Sequence, residues 1–396
     1  MKTVTAFVAP HRTGFLLGSL LLLTSLGWWS MEMIARQRGV VLGMAMPAMF
    51  LHGYLMLYGF FPLFMLGFIY TAGPRWLGVT SITLSSYVPV MLGYVTGSVL
   101  VLAGGWFHLL LSIGILVHIV SWSGALMLWL GRIRASKASE RRHAMLIAAA
   151  FMLGLLGQIL GLLWSAGQWF SAWQASVDVG LWGFLLPVFL IVCHRMVPFF
   201  SSNVLMPYSI WNPQGLLYTL VGMSWAHGFL ARVGWMSWPV DMVFAGILAY
   251  IVWRWGFFRA FKVPLLAMLH ASLAWTAVAL VLYSVQGVAA MMGVSLLAFA
   301  PLHALTLGFF CTMLLGFVTR VSLGHSGRPL VAGRLPWTLY WLVHCIALTR
   351  VVADIVPGWQ QPMYLFSVSV ALLAFLLWGT RFVPIYLKPR IDGKLG

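Results

Sequence analysis

The sequence predicts an all-α polytopic membrane protein, a bundle of about twelve transmembrane helices with both termini in the cytoplasm. Three observations lead there. Of 396 residues, 62% are hydrophobic and 7% charged, with a mean hydropathy of +0.97, whereas a soluble domain carries roughly 25% charged residues. Apolar stretches of the roughly 20 residues that cross a bilayer recur from the first line of the sequence to the last. The cations, finally, fall on alternate connections between those stretches.

Hydropathy and turn residues place the spans near 14–35, 48–71, 84–104, 106–130, 144–165, 175–194, 215–234, 237–256, 264–285, 292–319, 335–355 and 361–383. No small-residue cleavage site follows the first apolar run before Glu32 and Arg36, so it reads as a retained helix rather than a signal peptide. The longest connections, around 131–143, 195–214 and 320–334, are too short to fold alone, and residues 1–396 read as a single transmembrane domain. Trp28, Trp29, Trp76, Trp106, Trp211, Trp235, Trp238 and Trp337 stand near span ends, where aromatic belts form. Trp122, Trp182, Trp225 and Trp275 lie deeper, where packing is their ordinary role and lining a flat cofactor the alternative.

All but four of the 23 Lys and Arg residues fall on one side if the N-terminus is cytoplasmic; the exceptions are Arg36, Arg38, Arg232 and Arg350. That asymmetry is the positive-inside pattern of an inner-membrane protein. It also accounts for the formal charge of +17 through topology and attraction to anionic lipid, with no nucleic acid required. Cys193, Cys311 and Cys345 are isolated in apolar runs without CxxC spacing, so a disulfide framework or thiolate zinc site is not expected.

The six acidic residues, Glu32, Glu140, Asp178, Asp241, Asp354 and Asp392, are expected near span ends or in loops. A proton- or cation-coupled transporter uses a carboxylate near the midplane, and none is evident. Histidines are different. Of eleven, His52, His108, His118, His227, His270, His303 and His344 fall within predicted spans. Neutral imidazole tolerates low dielectric and ligates transition metals and haem iron. A hydrogen bond to a neighbouring helix is the alternative use for each.

Two segments resemble each other internally: YGFFPLFMLGFIYT at 58–71 and LGFFCTMLLGFVTR at 307–320. Registering Gly59 on Gly308 levels His303 with Tyr54 and sets His52 two residues, roughly 3 Å of rise, nearer the outer face. His52 and His303 are thus the first-choice axial pair for a haem, with His227 and His270 as alternates. Gly59, Gly67, Gly308 and Gly316 allow either close helix contact or room for a flat ring. At the end of the tenth span, Thr319-Arg320 and Leu323-Gly324-His325-Ser326-Gly327-Arg328-Pro329 form a Gly-rich basic turn. It suits an anion such as haem propionates or a lipid head group, or serves only as a positive-inside loop.

HALTLGFFCTMLLGFVTRVSLGHSGRPL, residues 303–330, resembles the HALTxGxxGxMxLGVMTRxxLGHTGRPL segment of the NnrS family. Three shorter stretches are similar to family motifs in the same order: LHGYLMLYGF at 51–60, HRMVPFF at 194–200 and PLLAMLHASLAW at 264–275. The resemblance implies a bacterial inner-membrane protein of about twelve helices that contains haem and copper and is linked to denitrification and nitric oxide tolerance. It implies His52, His270, His303 and His325 as metal-site candidates and carries Arg195, Arg320 and Arg328 over as cofactor-binding arginines. Cys193, His194 and His227 have no family counterpart. Where the family reads His-Ala-His-Glu, this chain reads His52-Gly53-Tyr54-Leu55, so one histidine and its nearby carboxylate are absent and the copper site is in question.

The expectation is therefore a membrane protein that binds haem b, with copper as the second cofactor the resemblance implies, and that meets nitric oxide or a similar small gas. Whether it is a nitric-oxide-directed oxidoreductase is open, because there is no CxxCH haem attachment and the electron donor is unidentified. The alternative is a transporter or a metal- or haem-handling assembly factor.

Overall fold

A computed structural model of the chain describes residues 5–393; Lys2 and Lys394, counted among the cations of the tails, lie outside them. The long helices are α1 Pro10–Gln37, α2 Ala48–Leu77, α3 Leu84–Ala103, α4 His108–Ala135, α5 Arg142–Gly167, α6 Phe170–Ser202, α7 Gln214–Arg232, α8 Trp238–Arg254, α9 Pro264–Met291, α10 Ala300–His325, α11 Arg334–Ala353 and α12 Gln360–Leu387. Each overlays one predicted span, and no strand occurs among the described residues. Ten are long and apolar enough to cross a membrane. The exceptions are α7 and α8, so on that measure the expected twelve crossings stand at ten. Their shortfall has a cause: α8 has only 17 residues, and α7 carries Ser224, His227 and Arg232.

Three of the helices are not regular. Wide π-type turns occupy Leu55–Gly59 in α2, Val179–Leu185 in α6 and Ala304–Cys311 in α10. In α2 and α6 the wide turn is followed at once by a proline, Pro62 or Pro187. Proline brings no N–H and its ring crowds the preceding turn, so the ladder loosens there. No proline follows the wide turn of α10. There Gly308 carries no side chain, and its open side is covered by the indole of Trp275.

The helices divide into two compact units: Met1–Val188 with Gly379–Gly396, and Phe189–Trp378. In the first, α1 lies on α2 at a glycine pair. A Cβ on Gly14 would come within 2.8 Å of the Gly67 Cα, so Gly14 has no room for a side chain, and one on Gly67 would press on the Phe15 ring at 3.1 Å. Helices α3 and α4 cross equally closely at Gly97 and Gly114, where a Cβ on Gly114 would meet the Val101 nitrogen at 2.6 Å. The buried Arg12 guanidinium donates to the carbonyls of Ile385, Tyr386 and Lys388, the last at 2.7 Å. A cation is the group that the uncapped carbonyls at a helix C-terminus favour.

Tyrosines fasten the interior of this unit by donating to backbone carbonyls. Tyr58 bonds Ser176 O at 2.6 Å, Tyr94 bonds Tyr58 O at 2.6 Å and Tyr70 bonds Ala125 O at 2.7 Å. Gly157 and Gly180 create the slot for the Tyr58 hydroxyl, which would collide with a Cβ at either position. In the second unit α9 takes α10 against it at Gly316, where a Cβ would meet Leu269 and Met268 side chains at 3.2 Å. It takes α8 at Gly287, where a Cβ would meet the Trp238 Cβ at 2.8 Å. Of the four glycines singled out in the internal repeat, Gly67 and Gly316 thus serve helix contact.

Replacing Gly157 with Leu is expected to destabilise the protein by about 3 kcal/mol, because overpacking at a filled slot forces backbone shifts. The measurement is the thermal unfolding midpoint of detergent-purified protein; an unchanged midpoint would contradict the Tyr58 slot.

Candidate functional site

His303 closes the first turn of α10, immediately before the wide turn. Its Nδ1 lies 2.9 Å from the Phe299 carbonyl four residues earlier. A carbonyl only accepts, so Nδ1 carries the proton and Nε2 keeps its lone pair. This is how ligating histidines are held, with the far nitrogen anchored and the near one bare. The ring is half-buried, and Arg350 of α11 stands within electrostatic range of it. Arg350 is tied to the wholly buried Asp354 side chain at 2.9 Å and lies 4.1 Å over the Tyr364 ring. Tyr364 donates its hydroxyl to the same carboxylate. The C-terminal end of α11 therefore holds a cation, fixed by its own acid, within electrostatic range of an imidazole with a free lone pair.

His344 of α11 is arranged in the opposite sense. Trp275 Nε1 donates to its Nδ1 at 2.8 Å, so the proton sits on Nε2. That Nε2 is buried with no hydrogen-bond acceptor. Tyr340 stands edge-on to the ring at 4.5 Å, and the same Trp275 covers Gly308. The space beside Gly308 is thus taken by an indole rather than left for a flat ring. His344 offers a proton rather than a lone pair, and family motifs did not select it. Its signal in the sequence was only its depth in a span.

His52, in α2, is half-buried and stacks on Trp29 of α1 at 4.0 Å and 18°. It belongs to the first unit and His303 to the second. Next along α2, where the family pattern has its second histidine, the Tyr54 hydroxyl meets His118 Nδ1 at 3.3 Å. His118 Nε2 reaches the Tyr94 carbonyl at 3.0 Å and Ser98 Oγ at 2.9 Å. The carbonyl fixes the proton on Nε2, so Tyr54 donates to Nδ1. The hydroxyl of Tyr54 is therefore engaged within a wholly buried stack.

His227 of α7 donates Nδ1–H to Asp241 Oδ1 of α8 at 2.5 Å, and Ser237 donates to Oδ2 at 3.0 Å. Asp241 is completely buried. Asp241 keeps to its expected place near a span end, in the first turn of α8, yet the chain reverses between α7 and α8 and folds it against His227. Sequence spacing gave no sign of the pairing beyond the two residues flanking one short connection.

The remaining candidates lie further along the second unit. His270 of α9 is wholly buried; Nε2 meets Ser201 Oγ of α6 at 3.0 Å, and Nδ1 has no partner. Arg320 of α10 is 7% exposed and lies 4.1 Å over the Phe200 ring. Arg195 in α6 is half-buried, as is His325, the last residue of α10. In the turn that follows, Arg328 donates its backbone N–H to the Leu323 carbonyl at 3.1 Å, while Nη1 is buried without a hydrogen bond. Seventeen residues of continuous helix separate Arg320 from His303, a rise of about 25 Å. That exceeds the reach of one haem, so Arg320 and Arg328 do not serve propionates of a group ligated at His303. Arg350 is the arginine at the right level.

Copper needs several donors brought together. Among the described residues no three His, Cys, Asp or Glu side chains gather as a metal site. A single anchored imidazole with a bare Nε2 is a donor that haem iron accepts.

Losing the Asp241 carboxylate leaves His227 in a buried site without its acceptor. The Asp241→Ala variant is expected to lose about 3 kcal/mol, and Asp241→Ala combined with His227→Ala little more. Additive losses in thermal unfolding of the two single variants would contradict the pairing.

A family model described as NnrS protein matches residues 5–390. No curated protein matches the chain.

Proposed function

Because the chain belongs to the NnrS family, we propose that it is a haem-b-binding protein of the bacterial inner membrane acting in the nitric oxide response, with His303 as an axial ligand. Family membership supports a nitric-oxide-associated membrane protein. The observation that carries the haem reading is the anchored Nδ1 of His303, which leaves Nε2 bare on a half-buried ring. Bound haem supplies an iron position at which nitric oxide binds. The chain supplies the imidazole and, within electrostatic range of it, the Arg350 cation for a carboxylate of the group. His52 is a second candidate ligand, held in the first unit by Trp29. The proposal is made for haem alone, since no copper donor set is gathered among the described residues. The one-sided cations support an N-in, C-in orientation.

The test is an absorption spectrum, oxidised and dithionite-reduced, with iron counted on the same purified sample. The wild-type protein is expected to show a reduced b-type spectrum with stoichiometric iron, and His303→Gly to lose it and regain it with added imidazole. A folded His303→Gly protein with full haem overturns the ligand assignment. Colourless wild-type protein from haem-replete cells overturns the haem reading.

Asp241 favours a second reading. A wholly buried, histidine-paired carboxylate is the group a proton-coupled transporter uses to bind its ion. Proton movement by the reconstituted protein that disappears in Asp241→Asn would favour transport. No movement above that of empty vesicles would set it aside.

A further inference from the structure

Arg320 presents an unbalanced charge. Its side chain is 7% exposed, and its one partner among the described residues is the face of Phe200. Among the described residues no carboxylate forms an ion pair with it and no oxygen accepts from its five N–H groups. Guanidinium does not shed its proton in proteins. The attraction of an aromatic face offsets only part of the loss of water around a buried charge.

The same turn of α6 that brings Phe200 to Arg320 brings Ser201 to His270. Phe200 also packs on Phe317, one turn before Arg320 on α10, with ring centroids 6.2 Å apart. Gly316 seats α10 directly on Leu269, the residue before His270. Arg320 and His270 therefore flank one junction of α6, α9 and α10, all within the second unit. His270 Nδ1 is buried there with no partner. In the tautomer in which Ser201 donates to Nε2, Nδ1 carries a proton and lacks an acceptor. A few residues beyond, buried Arg328 Nη1 likewise lacks one.

From these unmatched donors we propose that the junction of α6, α9 and α10 is an oxyanion site in which Arg320 takes two oxygens of a phosphate group and His270 a third. A planar guanidinium fork matches paired oxygens, and the site's donors are positive or neutral throughout. The rise of about 25 Å to His303 makes this a place separate from the proposed haem position, and it stands whether or not haem binds. The phosphate belongs to a free inorganic ion or to the head group of an anionic phospholipid.

The experiment follows the thermal unfolding midpoint of the full-length purified protein. One arm titrates inorganic phosphate into delipidated protein at constant ionic strength, balanced with chloride. The other compares nanodiscs of phosphatidylcholine with nanodiscs containing phosphatidylglycerol. A ligand that binds only the folded state raises the midpoint in a saturable way. The wild-type midpoint is expected to rise in the first arm for a free ion, or in the second arm alone for a lipid head group. Arg320→Met abolishes the rise, and His270→Phe weakens apparent affinity about tenfold. Should Arg320→Met not fold, Arg320→Lys replaces it, keeping the charge while losing the fork and again weakening the response about tenfold. A wild-type midpoint that responds to neither source overturns the proposal. So does an Arg320→Met protein as stable as wild type and equally responsive.

Discussion

Lipid offers no hydrogen bonds, so a polar group carried into the bilayer must find its partner within the protein. This requirement organises the helices as much as apolar contact does. In the first unit the tyrosines Tyr58, Tyr70 and Tyr94 all donate to carbonyls, two of them residues of neighbouring helices freed or strained by wide turns. Glycine makes these bonds sterically feasible, since the Tyr58 ring fits only against the bare backbone of Gly157 and Gly180. Arg12 does the same at an end of the unit by closing the last carbonyls of α12. Removing polar partners from such an interior costs more than removing methyl groups of the same size, because nothing replaces them.

The same rule sorts the histidines. Each ring has two nitrogens, and what holds the first decides what the second can do. His118 uses both, between Tyr54 and the Tyr94 carbonyl, and is structural. His303 uses Nδ1 on a carbonyl and keeps a lone pair, which suits iron. His344 uses Nδ1 as an acceptor from Trp275 and keeps a proton, which suits an oxygen or a bound gas. His270 holds Ser201 and leaves Nδ1 facing a junction with a buried arginine. Four rings of one residue type thus carry four different chemistries.

Much of the fold was legible because hydropathy is a one-dimensional signal. The predicted span at 84–104 and helix α3 at Leu84–Ala103 differ by one residue, and the composition alone required helices in a membrane. The wide turns in α2 and α6 were also written in the sequence, as Pro62 and Pro187, although hydropathy does not register them. Pairings between helices were not legible. Asp241 looked like an acid at a helix end until the α7–α8 reversal set it on His227. Trp275 and His344 lie 69 positions apart, and nothing in either span announces that α9 and α11 meet there. The motif residues Arg320 and His270 were visible as a pattern, but their shared junction depends on Phe200 and Ser201 of a third helix. Arg320 stands about 25 Å of helix rise from His303, too far to serve a group ligated there.

Central to this account is the claim that His303 is held as the Nδ1–H tautomer while His344 is held as the Nε2–H tautomer. Solid-state NMR of protein carrying ¹⁵N-labelled histidine, in lipid and at neutral pH, reads this directly, with assignments taken from His303→Gln and His344→Gln variants. The account predicts a protonated Nδ1 and an imine-type Nε2 for His303, and the reverse for His344. A protonated Nε2 on His303 would contradict it, because the nitrogen assigned to iron would then be occupied by hydrogen.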